Sequence, residues 1–334
     1  MNRRIRRTFL VTLTLGATAG LAACSSGAEP EGTGDTPDGQ DYSFVADNCG
    51  TRVELDAAPQ RIVAIKSTSI ELVTALGAAD RLVGIGFADG PAPQEMAEEL
   101  AAVEVISEQA PSQEVVLGVE PDLVFAGWES NLAADTAGAR DTLAKLGVAS
   151  YVSPAACQEK GYQPDPMTFD LLFDQFVEAG DLLDEPEAAA DLVAEQRAAL
   201  AEVPTAKDGT TALWWSSGED TPFVGGAIGA PQMMLDAVGL TNVVDEHATW
   251  TSLGWEAIVD ADPDVIVLVD ATWNTAEQKI AALESNPATA ALSAVKEGRY
   301  LTIPFPAAEA GVRSVPAAGD LATQLDDLGL LGTN

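Results

Sequence analysis

From Val53 onward, short apolar runs alternate with segments whose apolar positions recur every three or four residues. The runs are "RIVAI", "LVGIG", "DLVFAG" and "ASYVS"; between them lie "SIELVTALGAADR", "SQEVVLGV" and "ADTAGARDTLAKLG". A strand covered on both faces reads as an unbroken apolar run, so this alternation predicts βαβ units on a mostly parallel sheet. Gly77 and Gly147 stand just past the last apolar residue of two helical segments, where a left-handed C-terminal residue is wanted. A second series begins near Thr210, with "TTALWWSS", "TPFVGG", "APQMMLDAVGL", "LGWEAIVDA", "DVIVLVD", "TAEQKIAALES", "ATAALSAVKEG" and "YLTIP".

Between the two series stands "DEPEAAADLVAEQRAALAEVP". Asp184 as N-cap, Pro186 in the first turn and Glu187 three residues on predict a helix that runs unbroken to about Val203. Its ~18 residues span roughly 27 Å, a rigid crossing between two α/β lobes at 44–183 and 204–334, with the crossing itself at 184–203. The lobes also share a phrase: "VEPDLVFAGWESN" is echoed by "DADPDVIVLVDATWN", their prolines 142 positions apart. Each copy is a Pro-Asp strand followed by a polar loop. In parallel sheets the functional loops lie at the carboxyl ends of strands, so "GWESN" and "ATWN" are expected to face one another across an inter-lobe cleft.

The N-terminus has a different character. "MNRRIRRTFLVTLTLGATAGLAAC" holds four arginines, then an apolar stretch too short and glycine-interrupted to span a bilayer, then small residues up to Cys24. Leu21-Ala22-Ala23-Cys24 resembles a bacterial lipobox, which implies removal of residues 1–23 and lipidation of Cys24; an ordinary secretory signal is the alternative. Arg6-Arg7 leaves the general and twin-arginine export routes both open. The following "SSGAEPEGTGDTPDGQD" is a flexible tether within residues 24–43, with an r.m.s. reach on the order of 20–25 Å.

Without residues 1–23 the chain carries 13 basic against 52 acidic residues, a formal net charge of −39. That argues against nucleic acid or anionic lipid as a partner and makes each cation near a pocket informative. Of three cysteines, Cys49 and Cys157 are left after Cys24, an even remainder that suggests one disulfide in an exported protein; two separate thiols are the alternative. With two further cysteines and one histidine, His247, no metal site is expected.

"PQRIVAIKSTSIELVTALGAADRLVGIG", the paired Pro-Asp strands, the lone crossing helix and "MLDAVGLTNV" together resemble the siderophore/cobalamin class of ABC-importer substrate-binding proteins, over roughly residues 50–330. The resemblance implies two Rossmann-like lobes joined by one long α-helix, an extracytoplasmic lipid-anchored monomer without a cofactor, and delivery of a small-molecule ligand to permease and ATPase subunits. It also implies permease docking through an acid on each lobe, at positions matching Glu71 and Asp236. A narrower similarity, carried by "FADGPAP", "YVSPAACQ", "VGGAIGAPQMMLDAVGLTN" and "YLTIPFPAAEAGVR", points to the subgroup proposed to import F-420-0, the deazaflavin phospholactate precursor of coenzyme F-420. Ferric siderophore, cobalamin and haem are the alternative ligands.

The residues themselves offer several binding candidates. Lys66, Ser67, Thr68 and Ser69 stand between a strand and a helix N-terminus, where an ammonium, hydroxyls and free backbone N–H groups suit an anion; plain N-capping with Lys66 solvated is the competing reading. Trp128, Glu129 and Ser130 follow one repeated strand and Trp273 the other, and with Trp250 they could stack on a planar ligand. Trp214, Trp215 and Trp255 read as core. Gly226, in "GGAIGAPQMM", could let backbone approach a ligand, or simply form a tight turn. Arg313, after the last strand, could clamp a phosphate or carboxylate; its alternative is a surface pair with Glu309. Arg140 and Lys145 read as surface cations.

An enzyme is the main rival class, and the sequence lacks a G-x-S-x-G elbow, an H-E-x-x-H and a P-loop. Ser293-Ala-Val-Lys296 fits S-x-x-K but lacks the downstream K-T-G, and reads as surface helix. A surface sensor that keeps the fold without transport is a third possibility.

Overall fold

The computed structural model describes residues 42–332, so Cys24, the signal segment and most of the tether lie outside the described residues. An antiparallel hairpin of β1 (Phe44–Asn48) and β2 (Thr51–Leu55) comes first. The first lobe then alternates β3 (Ile62–Ile65), α1 (Ser67–Ala75), β4 (Leu82–Gly86), α2 (Ala97–Leu100), β5 (Val105–Ser107), α3 (Gln113–Gly118), β6 (Leu123–Ala126), α4 (Arg140–Lys145) and β7 (Ala149–Val152). Its sheet is wholly parallel in the order β5-β4-β3-β6-β7. The central runs "IVAI" and "LVFA" are buried along their whole length, which is why they read as unbroken apolar stretches.

Two helices follow, α5 (Phe169–Leu183) and α6 (Pro186–Ala201). The second lobe comprises β8 (Thr211–Ser217), β9 (Phe223–Gly225), α7 (Ala230–Ala237), β10 (Thr241–Asn242), β11 (Trp250–Ser252), α8 (Trp255–Ala261), β12 (Val265–Asp270), α9 (Ala276–Ser285), α10 (Ser293–Lys296), β13 (Tyr300–Pro304) and α11 (Ser314–Asp327). Its sheet runs β11-β9-β8-β12-β13 with β10 beside β8; β8, β12 and β13 are parallel, while β9 and β11 pair antiparallel. The repeated phrase is architectural, for β6 lies between β3 and β7 as β12 lies between β8 and β13. Gly77 and Gly147 take the expected left-handed conformation at φ 77° and 81°.

The crossing helix is realised by α6, with a different start from the expected one. Asp184 is the left-handed C-cap of α5 at φ 59°, and Glu185 precedes Pro186 at the first helical position, so no Asp184 capping box forms. At this turn Arg81 of the first lobe donates to Leu183 O (2.6 Å) and Glu185 Oε1 (2.5 Å); farther along α6, Gln196 Nε2 donates to Val312 O of the second lobe (3.1 Å). The helix is thus tied to the first lobe at its start and to the second lobe farther along. Alongside it, α5 buries Phe169, Phe173 and Phe176. The segment before α4 is not helical either: the Thr136 hydroxyl accepts from Ala133 N and Gly138 sits at φ 114°, which delays the helix to Arg140.

Cys49 and Cys157 form a disulfide that ties the hairpin to the chain beyond β7. Arg140 supports the same junction and is not a surface cation: it donates to Asn48 O (2.7 Å), Asn48 Oδ1 (2.8 Å) and Ser150 O (2.8 Å). Lys145 does pair with Asp141 at the surface. The bond closes a loop over a separation of 108 residues, so its loss should cost about 5 kcal/mol through unfolded-chain entropy. Urea unfolding of Cys49→Ala/Cys157→Ala measures this, and a loss below ~1 kcal/mol would count against it.

Candidate functional site

A cleft of about 460 Å³ opens between the lobes. Thr68 and the 127–130 loop line it from the first lobe, with Ser153 and Gln158; Ser216, Phe223, Gly229, Trp250 and Phe305 do so from the second, with Glu309. This is the edge where β3, β6, β7, β8 and β13 end, as parallel sheets predict.

Trp128 anchors the first wall. Its indole N–H donates across the lobes to Glu309 Oε2 (2.6 Å), and its ring meets Phe87 edge-on, centroids 5.9 Å apart. On the opposite wall Trp250 stacks on Phe223 at 5.7 Å with the rings 15° from parallel. The two aromatic walls are therefore Trp128 and Trp250. Trp273 is 61% exposed and edge-on to Phe305 (4.8 Å), outside the lining. The facing pair expected from the repeat is thereby corrected: the "ATWN" loop folds outward over Phe305. Trp214 and Trp215 are both core, and Trp255 is half-buried against Trp215.

The predicted anion site at the start of α1 is filled by the protein's own carboxylate. Lys66 Nζ is ion-paired with Asp89 Oδ1, both side chains almost fully buried, and Asp89 Oδ2 accepts from Ser67 N (3.2 Å). Ser67 Oγ in turn accepts from Asp89 N (2.9 Å), and Ser69 Oγ donates to Ile65 O (2.6 Å). Asp89 thus occupies the positive end of the helix that was expected to receive a ligand. The ammonium lies 3.5 Å from the centroid of Trp128 and 4.4 Å from that of Phe87, a cation–π arrangement sealed from the cleft. Burial pushes Lys66 down to about 8, with Glu309 opposing the shift. The sequence signal for Asp89 was "FADG", directly after β4.

Thr68 borders the cleft with its hydroxyl turned toward the Gly127 backbone. It is 6% exposed, lines the cleft, and its hydroxyl has no hydrogen-bond partner among the described residues. A side chain at Gly127 would come within 2.5 Å of that hydroxyl, which explains glycine there. Gly226 serves packing instead of ligand approach: its N–H donates to Thr249 O (3.0 Å), and a Cβ would sit 2.2 Å from Ala248 O.

Arg313 and Glu71 hold each other. Arg313 Nε donates to Glu71 Oε2 (2.7 Å), its Nη2 to Glu71 Oε1, and Nη2 also to Pro91 O (2.8 Å). Glu71 is 3% exposed, so in this conformation it is an inter-lobe ion pair and presents no docking carboxylate. Arg313 is correspondingly withdrawn from the cleft and from Glu309. Burial pushes the Glu71 carboxyl up, with Arg313 pulling the other way. Asp236 on α7 is exposed and accepts from Gln232 Nε2 (2.7 Å). The charged side chains lining the cleft are consequently both acidic: Glu129, which accepts from Gln158 N (2.5 Å), and Glu309, whose carboxyl burial pushes up. Ser130 is exposed at the mouth.

Known proteins share this architecture. The chain is 25% identical over 316 residues to YvrC, an uncharacterized ABC transporter substrate-binding lipoprotein of Bacillus subtilis, covering 91% of this chain and 92% of that one. It is 28% identical over 236 residues to a cobalamin-binding protein of Halobacterium salinarum, covering 66% and 57%. Among solved structures, a periplasmic binding protein from Veillonella parvula superposes with a TM-score of 0.75 at 23% identity, over 86% of this chain and 98% of that one. An ABC-type Fe3+-hydroxamate transport system from Saccharomonospora viridis gives 0.70 at 25% identity, over 84% and 98%. With two α/β lobes, a crossing helix and an inter-lobe cleft in place, and with residues 62–307 matching the family's sequence model, the chain belongs to the periplasmic binding protein family.

Proposed function

We propose that the protein is the substrate-binding component of an ABC importer. It is held on the extracytoplasmic face by a lipid on Cys24 and passes an aromatic or compact organic ligand from the cleft to a permease driven by ATPase subunits. The observation that carries this reading is the placing of Trp128 and Trp250 on facing walls of one cleft. Two flat apolar surfaces and a few directed polar atoms are what a small-molecule pocket needs. Of the two acids implied in docking, Asp236 is exposed for it; Glu71 would first have to leave Arg313.

For the ligand, the subgroup resemblance implies F-420-0, whose deazaflavin ring suits the aromatic walls. Its phosphodiester and carboxylate need cations, and Lys66 and Arg313 are engaged by Asp89 and Glu71. A second reading follows from that charge pattern. A ferric tris-hydroxamate, in which three singly charged hydroxamates neutralise the iron, brings no net anionic charge to a cleft lined by Glu129 and Glu309.

Titration of the purified protein with both ligands, followed by tryptophan fluorescence, separates the readings. Binding of either should weaken by at least ~10-fold in Trp128→Ala, equal to about 1.4 kcal/mol. Saturable quenching by F-420-0 alone supports the deazaflavin, and quenching by the ferric complex alone the hydroxamate. Failure of both, or Trp128→Ala binding undiminished, sinks the cleft assignment.

A further inference from the structure

Three alternate residues of one second-lobe segment reach the first lobe. The segment joins β13 to α11; in it Glu309 Oε2 accepts from the indole Nε1 of Trp128 (2.6 Å), and Arg313 is bound to Glu71. Between them Gly311 lies so close to α1 that a Cβ would come within 3.1 Å of Thr68 Cγ2. The segment is also knotted on itself. Ser314 Oγ accepts from Gly311 N (3.1 Å) and donates to Glu309 O (3.2 Å), and Ser314 is fully buried. Residues 309–313 therefore form a clasp seated on the first lobe, with Arg313 at one end and the cleft wall at the other.

The two aromatic walls are held in unlike ways. Trp250 stacks on Phe223 of the neighbouring strand, so its wall is complete within the second lobe. Trp128 meets Phe87 edge-on and covers the Lys66 ammonium, contacts that support the ring without fixing its rotation in its own plane. The bond that does so comes from the other lobe. Among the described residues Glu309 is the acceptor for the Trp128 N–H, and a hydrogen bond to a carboxylate is both strong and directional.

We propose that Glu309 is a positioning residue for ligand capture: from the second lobe it fixes the Trp128 ring against which the ligand packs, so this wall is complete only while the 309–313 clasp is seated. This role rests on the cleft reading above and adds a coupling to it. A ligand packed on Trp128 favours the lobe arrangement in which Glu309 reaches the indole, and that arrangement in turn favours the ligand.

Glu309→Gln keeps an acceptor for the indole, whereas Glu309→Leu keeps the volume without one. Both are titrated with F-420-0 and with the ferric tris-hydroxamate by tryptophan fluorescence, beside Trp128→Phe and Trp128→Ala. Glu309→Leu should weaken binding at least ~5-fold and Glu309→Gln less than ~2-fold. Trp128→Phe, which keeps a ring without the N–H, should lose at least as much as Glu309→Leu, and combining the two should cost little more than Trp128→Phe alone. In proton–nitrogen correlation spectra of the ligand-free protein, the indole resonance that Trp128→Phe removes should move in Glu309→Leu and stay near its place in Glu309→Gln. Equal losses in the Gln and Leu variants, additive losses in the double variant, an indole resonance indifferent to Glu309→Leu, or full affinity in Glu309→Leu beside a weakened Trp128→Ala overturns the positioning role and leaves the cleft reading standing. Undiminished binding in Trp128→Ala, or no binding of either probe to the wild type, overturns both.

Discussion

Arg313→Ala should destabilise the fold by about 4 kcal/mol at pH 8, because it leaves the Glu71 carboxylate buried between the lobes without its partner. The effect should depend on pH in a direction fixed by Glu71. Its folded-state carboxyl titrates above its usual range because burial outweighs Arg313. The native state therefore holds a proton that the unfolded state has released, and this group's contribution to stability falls as pH rises through the interval. Without Arg313 both opposing contributions vanish, the carboxyl moves higher still, and the interval widens. The difference between Arg313→Ala and the wild type should thus be small near pH 4.5 and grow toward pH 8, as urea unfolding at several pH values would measure. Glu71→Leu/Arg313→Leu should recover most of the loss, since buried ion pairs are often replaceable by apolar residues of similar volume. A defect under ~1 kcal/mol at pH 8, or one larger at acidic pH, would remove the pair from the account of lobe association.

The same pair shows where sequence reading stops. Strands such as "IVAI" and "VIVLVD" were legible because burial on both faces writes itself into local composition, and the repeat placed β6 and β12 correctly within their sheets. The disulfide was legible from counting. The antiparallel pairing of β9 and β11 was not, because three-residue strands carry no periodicity. In the site, residue types were read well and partners poorly. Lys66 and Arg313 were recognised as unusual cations, yet their partners come from the loop after β4 and from a helix 242 positions away. Nothing local to either cation records those acids. In a chain with so many carboxylates, a cation near a helix terminus is as readily neutralised from within as by a ligand. Trp250 over Trp273 was likewise decided by how the 271–274 turn closes, through Asn274 N donating to Ala271 O (3.0 Å).

Lys66→Met should cost about 4 kcal/mol, by a different route from Arg313. The substitution keeps most of the apolar stem and removes the charge, so Asp89 is left nearly inaccessible with only the Ser67 N–H to support it. Neutralising the orphan should repair the damage, and Lys66→Met/Asp89→Asn is expected to regain at least ~2 kcal/mol in urea unfolding. The backbone adds a second argument. Lys66 sits at φ 81° and ψ 149°, a region essentially reserved for glycine and costing a side-chain-bearing residue roughly 1–3 kcal/mol. The surrounding contacts hold it there: Lys66 N donates to Gly86 O (3.0 Å), and the ammonium is gripped by Asp89 beneath the ring of Trp128. What the strained residue supplies is a fixed underside for the aromatic wall of the cleft. Lys66→Met should therefore weaken ligand binding along with stability, whereas Lys66→Met/Asp89→Asn should restore stability without restoring affinity, since the cation under Trp128 is still missing. If affinity returned with stability, Lys66 would be a structural residue alone; if neither changed in the single variant, the ion pair would have no energetic role at all.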